Sequence, residues 1–213
     1  MLLNLLFGQP MIFVTIAMGM VVAITVHEFS HALASTWMGD PTAKDSGRLT
    51  LNPASHLSLV GSLMLLLAGF GWGNPVPYNP YNLRFQRWGA AIVALAGPVS
   101  NVLLALLSGT FLKIFLTMGI LSENNLLVYF LEYSVFINLM LAVFNMIPVP
   151  PLDGSKLLFG ILDAPKYERF KVWLATRGPI LLILLIVVDS IFGLNVFAKI
   201  FNFIAQFVFR IFF

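Results

Sequence analysis

At 213 residues, with 59% hydrophobic and only 10% charged side chains and a mean hydropathy of +0.92, the chain lies far outside the range of soluble globular domains. It has no cysteine, which excludes disulfides and thiolate metal sites, so any metal ligand must come from His, Asp, Glu or water. The formal charge of +3 forms no basic stripe with interleaved aromatics; it reads as membrane topology, and no nucleic-acid partner is expected.

Residues 1–10 lack a basic leader and a small-residue cleavage site and do not read as a removable signal peptide. From Met11 to about Trp37 an apolar run is long enough to span a bilayer as one helix. It contains His27-Glu28-Phe29-Ser30-His31. Histidines four apart lie one above the other on a helix face, so both imidazoles can reach one metal ion, with Glu28 one step round the helix. This is the H-E-x-x-H zinc signature, in which the glutamate takes a proton from the attacking water. The same pattern also arises on ordinary helices, where the histidines are merely solvated. Within a span, however, each unpaired polar charge costs roughly 2.5–3.5 kcal/mol on insertion scales, which favours ligation of one zinc per chain.

A polar loop follows from Met38 to Arg48, and its Lys44 and Arg48 mark the cytoplasmic side. The next apolar run, Leu57 to Phe70, is short for a crossing and predicts a re-entrant segment. Gly71 to Asn82 is rich in Gly, Pro and Asn and is expected to be extended. Such a strand could pair with a peptide by strand addition, with Asn74 and Asn79 as contacts, or could be a plain interfacial loop with an aromatic belt. Arg84 and Arg87 are again cytoplasmic. A long helix from Trp88 to about Met118 carries Gly97-Pro98-Val99-Ser100-Asn101, where proline and glycine are tolerated only against protein or a wet cavity. Asn101 then faces the bundle interior, either to hold substrate or orient the site, or as helix-to-helix glue.

Gly119 to Asn125 is a short outer turn, and Leu126 to Ile147 returns as a span that ends near Asn145. Prolines 148, 150 and 151 stop it, and a helix restarts near Ser155. Lys156, Lys166, Arg169, Lys171 and Arg177 make the following stretch the most basic of the chain, hence cytoplasmic. The last apolar stretch, Pro179 to Phe213, reads as one broken span or a hairpin.

A catalytic zinc usually has three protein ligands and a water. Candidates for the third are His56, Glu132, Asp153, Asp163 and Asp189. If Leu57 to Phe70 does not cross, the helices carrying His31 and ending at Ile147 both run toward the cytoplasm, and Asp153 arrives beside the histidines. If it crosses, Asp153 lies on the opposite face and Lys156 to Arg177 break the positive-inside rule. Parity therefore favours Asp153, whose other reading is a helix N-cap for the segment that follows.

Taken together, His27-Glu28-Phe29-Ser30-His31, Gly97-Pro98-Val99-Ser100-Asn101 and Asn145 through Pro148 to Leu152-Asp153-Gly154 resemble the site-2 protease family of intramembrane zinc metalloproteases. Gly39-Asp40-Pro41-Thr42-Ala43-Lys44 and Gly47-Arg48-Leu49-Thr50-Leu51-Asn52-Pro53 look like its compact bacterial and archaeal members, without PDZ-like or CBS-like insertions. One departure is Ser58, where similar compact members often carry Asp. The resemblance implies hydrolysis of peptide bonds in or near transmembrane segments of membrane proteins, with His27, His31 and Asp153 as zinc ligands and Glu28 as base and acid. It also implies a role in regulated intramembrane proteolysis or membrane-remnant clearance.

The expected fold is an all-α integral membrane protein, a polytopic bundle of roughly 4–6 membrane segments with a re-entrant or extended segment near the zinc. Residues 1–213 are read as a single domain with a core at 11–154 and C-terminal membrane segments at 179–213. The expected partners are transmembrane substrates and the lipid bilayer. The expected site is a prokaryotic plasma membrane, with the active site toward the cytoplasm. Asn101, Asn74, Asn79 and Asn145 are the candidate substrate-binding or site-orienting residues. The rival readings are a metal-ion transporter and a non-proteolytic relative that binds membrane helices.

Overall fold

Pro10 sits at the start of a helix, where its missing N–H costs nothing, and opens α2 (Pro10–Trp37) behind a short helix α1 (Leu2–Gly8) that the sequence pattern did not reveal. The computed structural model describes residues 2–68 and 71–212, so Gly69 and Phe70, at the end of the predicted re-entrant run, lie outside the described residues. A one-turn helix α3 (Thr42–Asp45) follows α2, and α4 (Leu59–Ala68) packs against α1. At 10 residues, α4 is about 15 Å long, half a hydrocarbon core, as a segment that does not cross requires. The long α5 (Gly89–Thr117) continues through Pro98, and α6 (Leu126–Asn145) starts where Asn125 accepts the Leu127 N–H at 2.8 Å.

The protein is an all-helical integral membrane protein. Among the described residues four helical stretches, Pro10–Trp37, Gly89–Thr117, Leu126–Asn145 and Pro165–Asp189, are long and apolar enough to cross a bilayer, and there is no strand. Helices α2, α5 and α6 pack together at the centre, α5 running opposite to the other two. Their contact is built from small residues: Ala23, Ala32, Ala91, Ala94, Ala105 and Ala142 are buried, and Gly19 lies against Ile137 and Ser134. Lipid is as apolar as leucine, so close backbone approach and hydrogen bonds, rather than the hydrophobic effect, hold such helices together. Leucine and aromatic packing is displaced to the end of the bundle at which α5 turns into α6, where Leu112, Val128 and Leu131 form a cluster under Phe115, Leu116, Leu121 and Phe130.

The connection from Gly71 to Trp88 contains no long helix. Gly73 pairs with Leu57 as an isolated antiparallel bridge, and the predicted extended run closes earlier than expected, because Pro80–Asn82 forms a 3-10 turn capped by Asn79. After α6 the prolines hold residues 146–153 out of a helix until α7 (Gly154–Ile161). The next helix begins well before the predicted Pro179: α8 (Glu168–Phe192) runs through that proline. Gly178 lies tight against Pro150 there, and a membrane helix tolerates an internal proline more readily than a soluble one. Gly193, in the left-handed conformation, ends α8, and α9 (Val196–Phe212) folds back so that Ile204 packs on Ala105 and Val135. The C-terminal stretch is thus broken at Gly193, and α9 packs on α5 and α6 rather than on α8.

Candidate metal centre

His27 and His31 both lie on the buried face of α2, one turn apart. Each imidazole is anchored through Nδ1: His27 donates to Asn101 Oδ1 at 2.6 Å, and His31 donates to the Val93 carbonyl of α5 at 2.8 Å. With the proton on Nδ1, each neutral ring turns an unprotonated Nε2 inward. The two Nε2 atoms are 3.0 Å apart, and Asp153 Oδ2 is 3.2 Å from one and 3.3 Å from the other. Asp153 Oδ2 is itself buried with no hydrogen-bond donor.

Three electron-pair donors facing one another without a proton between them repel, unless a cation sits among them. Ligands at about 2.0–2.1 Å around a tetrahedral zinc stand about 3.3 Å apart, close to the separations here. Among the described residues this is the one group of three His, Cys, Asp or Glu side chains whose donor atoms converge. The other candidates for a third ligand are engaged or lie elsewhere. Asp163 Oδ2 is 3.4 Å from Arg87 Nε, Asp189 Oδ1 accepts the Val196 N–H, and His56 Nε2 donates to the Thr50 carbonyl. Glu132 is half-buried on α6, outside the cluster.

The backbone explains why these groups meet. Gly97 passes directly behind the pair: a Cβ there would fall 2.6 Å from His27 Cε1 and from His31 Cε1 and Nε2. Only glycine lets α5 come this close. Asn101, one turn on and fully buried, donates to Asn138 Oδ1 at 2.7 Å and to the Ala23 carbonyl at 3.2 Å, so one side chain joins all three central helices. Asn101 thus touches His27 and both neighbouring helices, so its position is compatible with either of the roles the sequence left as alternatives.

Glu28 lies half-buried beside the two histidines on α2, and its Oε2 accepts the Val76 N–H at 3.2 Å. The segment 73–79 thus lies over the carboxylate. Tyr78, which the sequence pattern did not single out, has its phenol pushed up by burial and by the negative charge of Asp153. The tentative asparagines are occupied locally. Asn74 donates its amide to the Leu57 carbonyl, Asn79 caps Tyr81, and Asn145 turns back to the Leu141 carbonyl.

A membrane-embedded helical bundle that buries a two-histidine, one-carboxylate centre with a glutamate beside it has the makings of a metallohydrolase. Comparison with known proteins points the same way. The model of Peptidase family M50 matches residues 114–186, a stretch that includes Asp153 but not the two histidines. YwhC of Bacillus subtilis, provisionally named a zinc metalloprotease, is 39% identical over 142 residues, 65% of each chain. Rip2 of Mycolicibacterium smegmatis, named in the same way, is 27% identical over 186 residues, 84% of this chain and 69% of that protein. MJ0611 of Methanocaldococcus jannaschii is 44% identical over 66 residues, 31% of each. No solved structure matches. These matches support the likeness to the site-2 proteases; the family model covers about a third of the chain, and the alignment to YwhC spans 65% of that relative's length, just under two thirds.

Proposed function

We propose that the protein is a zinc-dependent intramembrane endopeptidase that hydrolyses peptide bonds in or near transmembrane segments of membrane proteins. The observation that carries this reading is the convergence of His27 Nε2, His31 Nε2 and Asp153 Oδ2 within 3.3 Å, beside Glu28 and inside apolar helices. The partial match to the Peptidase family M50 model and the names of the relatives support both the metal and the reaction. In this reading His27, His31 and Asp153 hold one zinc ion per chain. Bound zinc supplies a Lewis acid that acidifies water and polarises a carbonyl.

The remaining chemistry belongs to the chain. Glu28 takes the proton of the attacking water on Oε1, its other oxygen being held by the Val76 N–H, and returns it to the departing amine nitrogen. Asn101 and the Val93 carbonyl keep both rings in the tautomer that leaves Nε2 free. A helical carbonyl is hydrogen-bonded and shielded, so the substrate must unwind first. Residues 73–79 then receive it by strand addition. Asn74 and Asn79 shape this strip rather than touch the substrate, since their side chains and their backbone N–H and C=O groups are all bonded within the protein; Asn145 would have to release Leu141 to take part.

Arg84, Arg87 and Lys156 lie near the same ends of the central helices as Asp153, which supports a centre near the cytoplasmic face of a prokaryotic plasma membrane. There the enzyme would serve regulated intramembrane proteolysis or the clearance of membrane remnants. A metal carrier would need successive ligand sets across the bilayer, and the described residues contain one.

The test is cleavage of a panel of single-span reporter proteins by purified, zinc-loaded protein, with Glu28→Gln and Asp153→Asn alongside. The reading expects cleavage lost in both, with zinc kept by Glu28→Gln and weakened in Asp153→Asn. Full cleavage by Glu28→Gln would sink the base assignment.

A further inference from the structure

The segment over Glu28 is tied at both ends to the loop that follows α2. At one end the Arg48 guanidinium donates through Nη2 to the carbonyls of Asn74 at 2.6 Å and Pro75 at 2.8 Å, while Nη1 donates to the Ser55 carbonyl. At the other end the fully buried Asp40 accepts the Asn79 N–H at 2.7 Å on Oδ2 and the Asn82 amide at 3.1 Å on Oδ1. Between these ties the Val76 N–H reaches Glu28 Oε2 at 3.2 Å. The anchors themselves are fixed. Thr42 donates its hydroxyl to Asp40 at 2.6 Å, the Arg48 N–H bonds the carbonyl of fully buried Ala43 at 2.9 Å, and the Arg84 N–H bonds the Met38 carbonyl at 2.8 Å.

Neither ion touches the candidate metal ligands or, among the described residues, pairs with an oppositely charged group: Arg48 spends its charge on the carbonyls of Ser55, Asn74 and Pro75, and Asp40 on the Asn79 N–H, the Asn82 amide and Thr42. A buried carboxylate accepting N–H bonds and a guanidinium bridging three carbonyls are strong, directional ties. An extended segment with proline at 75, 77 and 80 has few ladder bonds of its own to hold it in register. We propose that Arg48 and Asp40 are positioning residues, which act on Glu28 by holding residues 74–79 so that the Val76 N–H orients the carboxylate. The proposal rests on the reading of Glu28 as the base.

The first measurement is hydrogen–deuterium exchange of the full-length, zinc-loaded protein over peptides containing Val76 and, as reference, over α2. The proposal expects Arg48→Met and Asp40→Ala each to raise exchange at Val76 about tenfold or more, with α2 and the zinc content unchanged and Arg48→Lys intermediate. Unchanged exchange at Val76 in both variants overturns it, with no substrate needed.

The second measurement is cleavage of a single-span reporter per zinc-loaded molecule. Misplacing the base should lower kcat by about 10²-fold with little change in KM. Val76→Pro, which removes the N–H itself, should show the same loss, and the Arg48→Met/Val76→Pro double variant should be no worse than Val76→Pro alone. Additive losses, or losses that follow zinc content, assign the two ions a purely structural role. Cleavage retained in Glu28→Gln instead overturns the base reading, whatever the exchange data show.

Discussion

The amide of Asn101 holds His27 Nδ1 at 2.6 Å and, through its nitrogen, Asn138 Oδ1 at 2.7 Å, so the tautomer of a candidate ligand is fixed by the same side chain that joins the helices. Asn101→Leu removes the acceptor and leaves Asn138 Oδ1 buried without its donor. Outer partners of this kind are typically worth 10–100-fold in metal affinity or activity. Zinc affinity in a competition assay with a coloured chelator is expected to fall within that range, and an unchanged affinity would mean that Asn101 is glue alone.

Gly97→Ala places a methyl group where both imidazole rings stand. Either the rings turn away or α5 withdraws, and both outcomes separate the donors. Zinc content after purification is expected to drop severalfold. Gly8→Ala is the control: a Cβ there meets nothing, so its effect should stay within about 0.5 kcal/mol.

Zinc should also stabilise the fold. Three converging donors are strained without a cation, and a metal that binds only the folded chain at about a hundred times its Kd adds about 2.7 kcal/mol. A thermal unfolding series in detergent should show the midpoint rising with zinc and falling back with chelator. The shift should vanish in Asp153→Ala.

Asp40 gives a pH signature outside the membrane. Burial alone would raise its pKa, but hydrogen bonds from the Thr42 hydroxyl, the Asn79 N–H and the Asn82 amide outweigh burial and hold it below the usual carboxylate value. A depressed folded pKa favours the ionised native state above the unfolded value, near pH 4. That stability is lost as pH falls through the lower folded value. Asp40→Asn is therefore expected to be less stable than the parent chain at pH 7, with the difference closing below about pH 4. A gap that is constant from pH 7 to 3 would contradict this.

Much of the site could be read from local spacing. His27 and His31 share a helix face because four residues make about one turn, and Asp153 is reached by counting crossings, since the apolar run Leu57 to Phe70 is short for a span. What could not be read depends on contacts between distant backbone groups. Nothing about Arg48 or Asp40 signals that they bind carbonyls and amides at 74–79, because a backbone partner leaves no mark in residue identity. The same holds for the Val93 carbonyl under His31. Tyr78 was hidden among interfacial aromatics, and α8 began early because Pro179, read as a start, lies within a membrane helix.

The close passage of Gly97 behind the two rings makes the centre one-sided. A molecule that ligated the metal there would meet backbone if enlarged toward α5, whereas along residues 73–79 it would meet a strip of chain whose pairing pattern a peptide can match. An inhibitor built outward from the metal should therefore gain potency as a short extended peptide mimic and lose it as a bulky chelator. The direction of growth is set by a single missing methyl group.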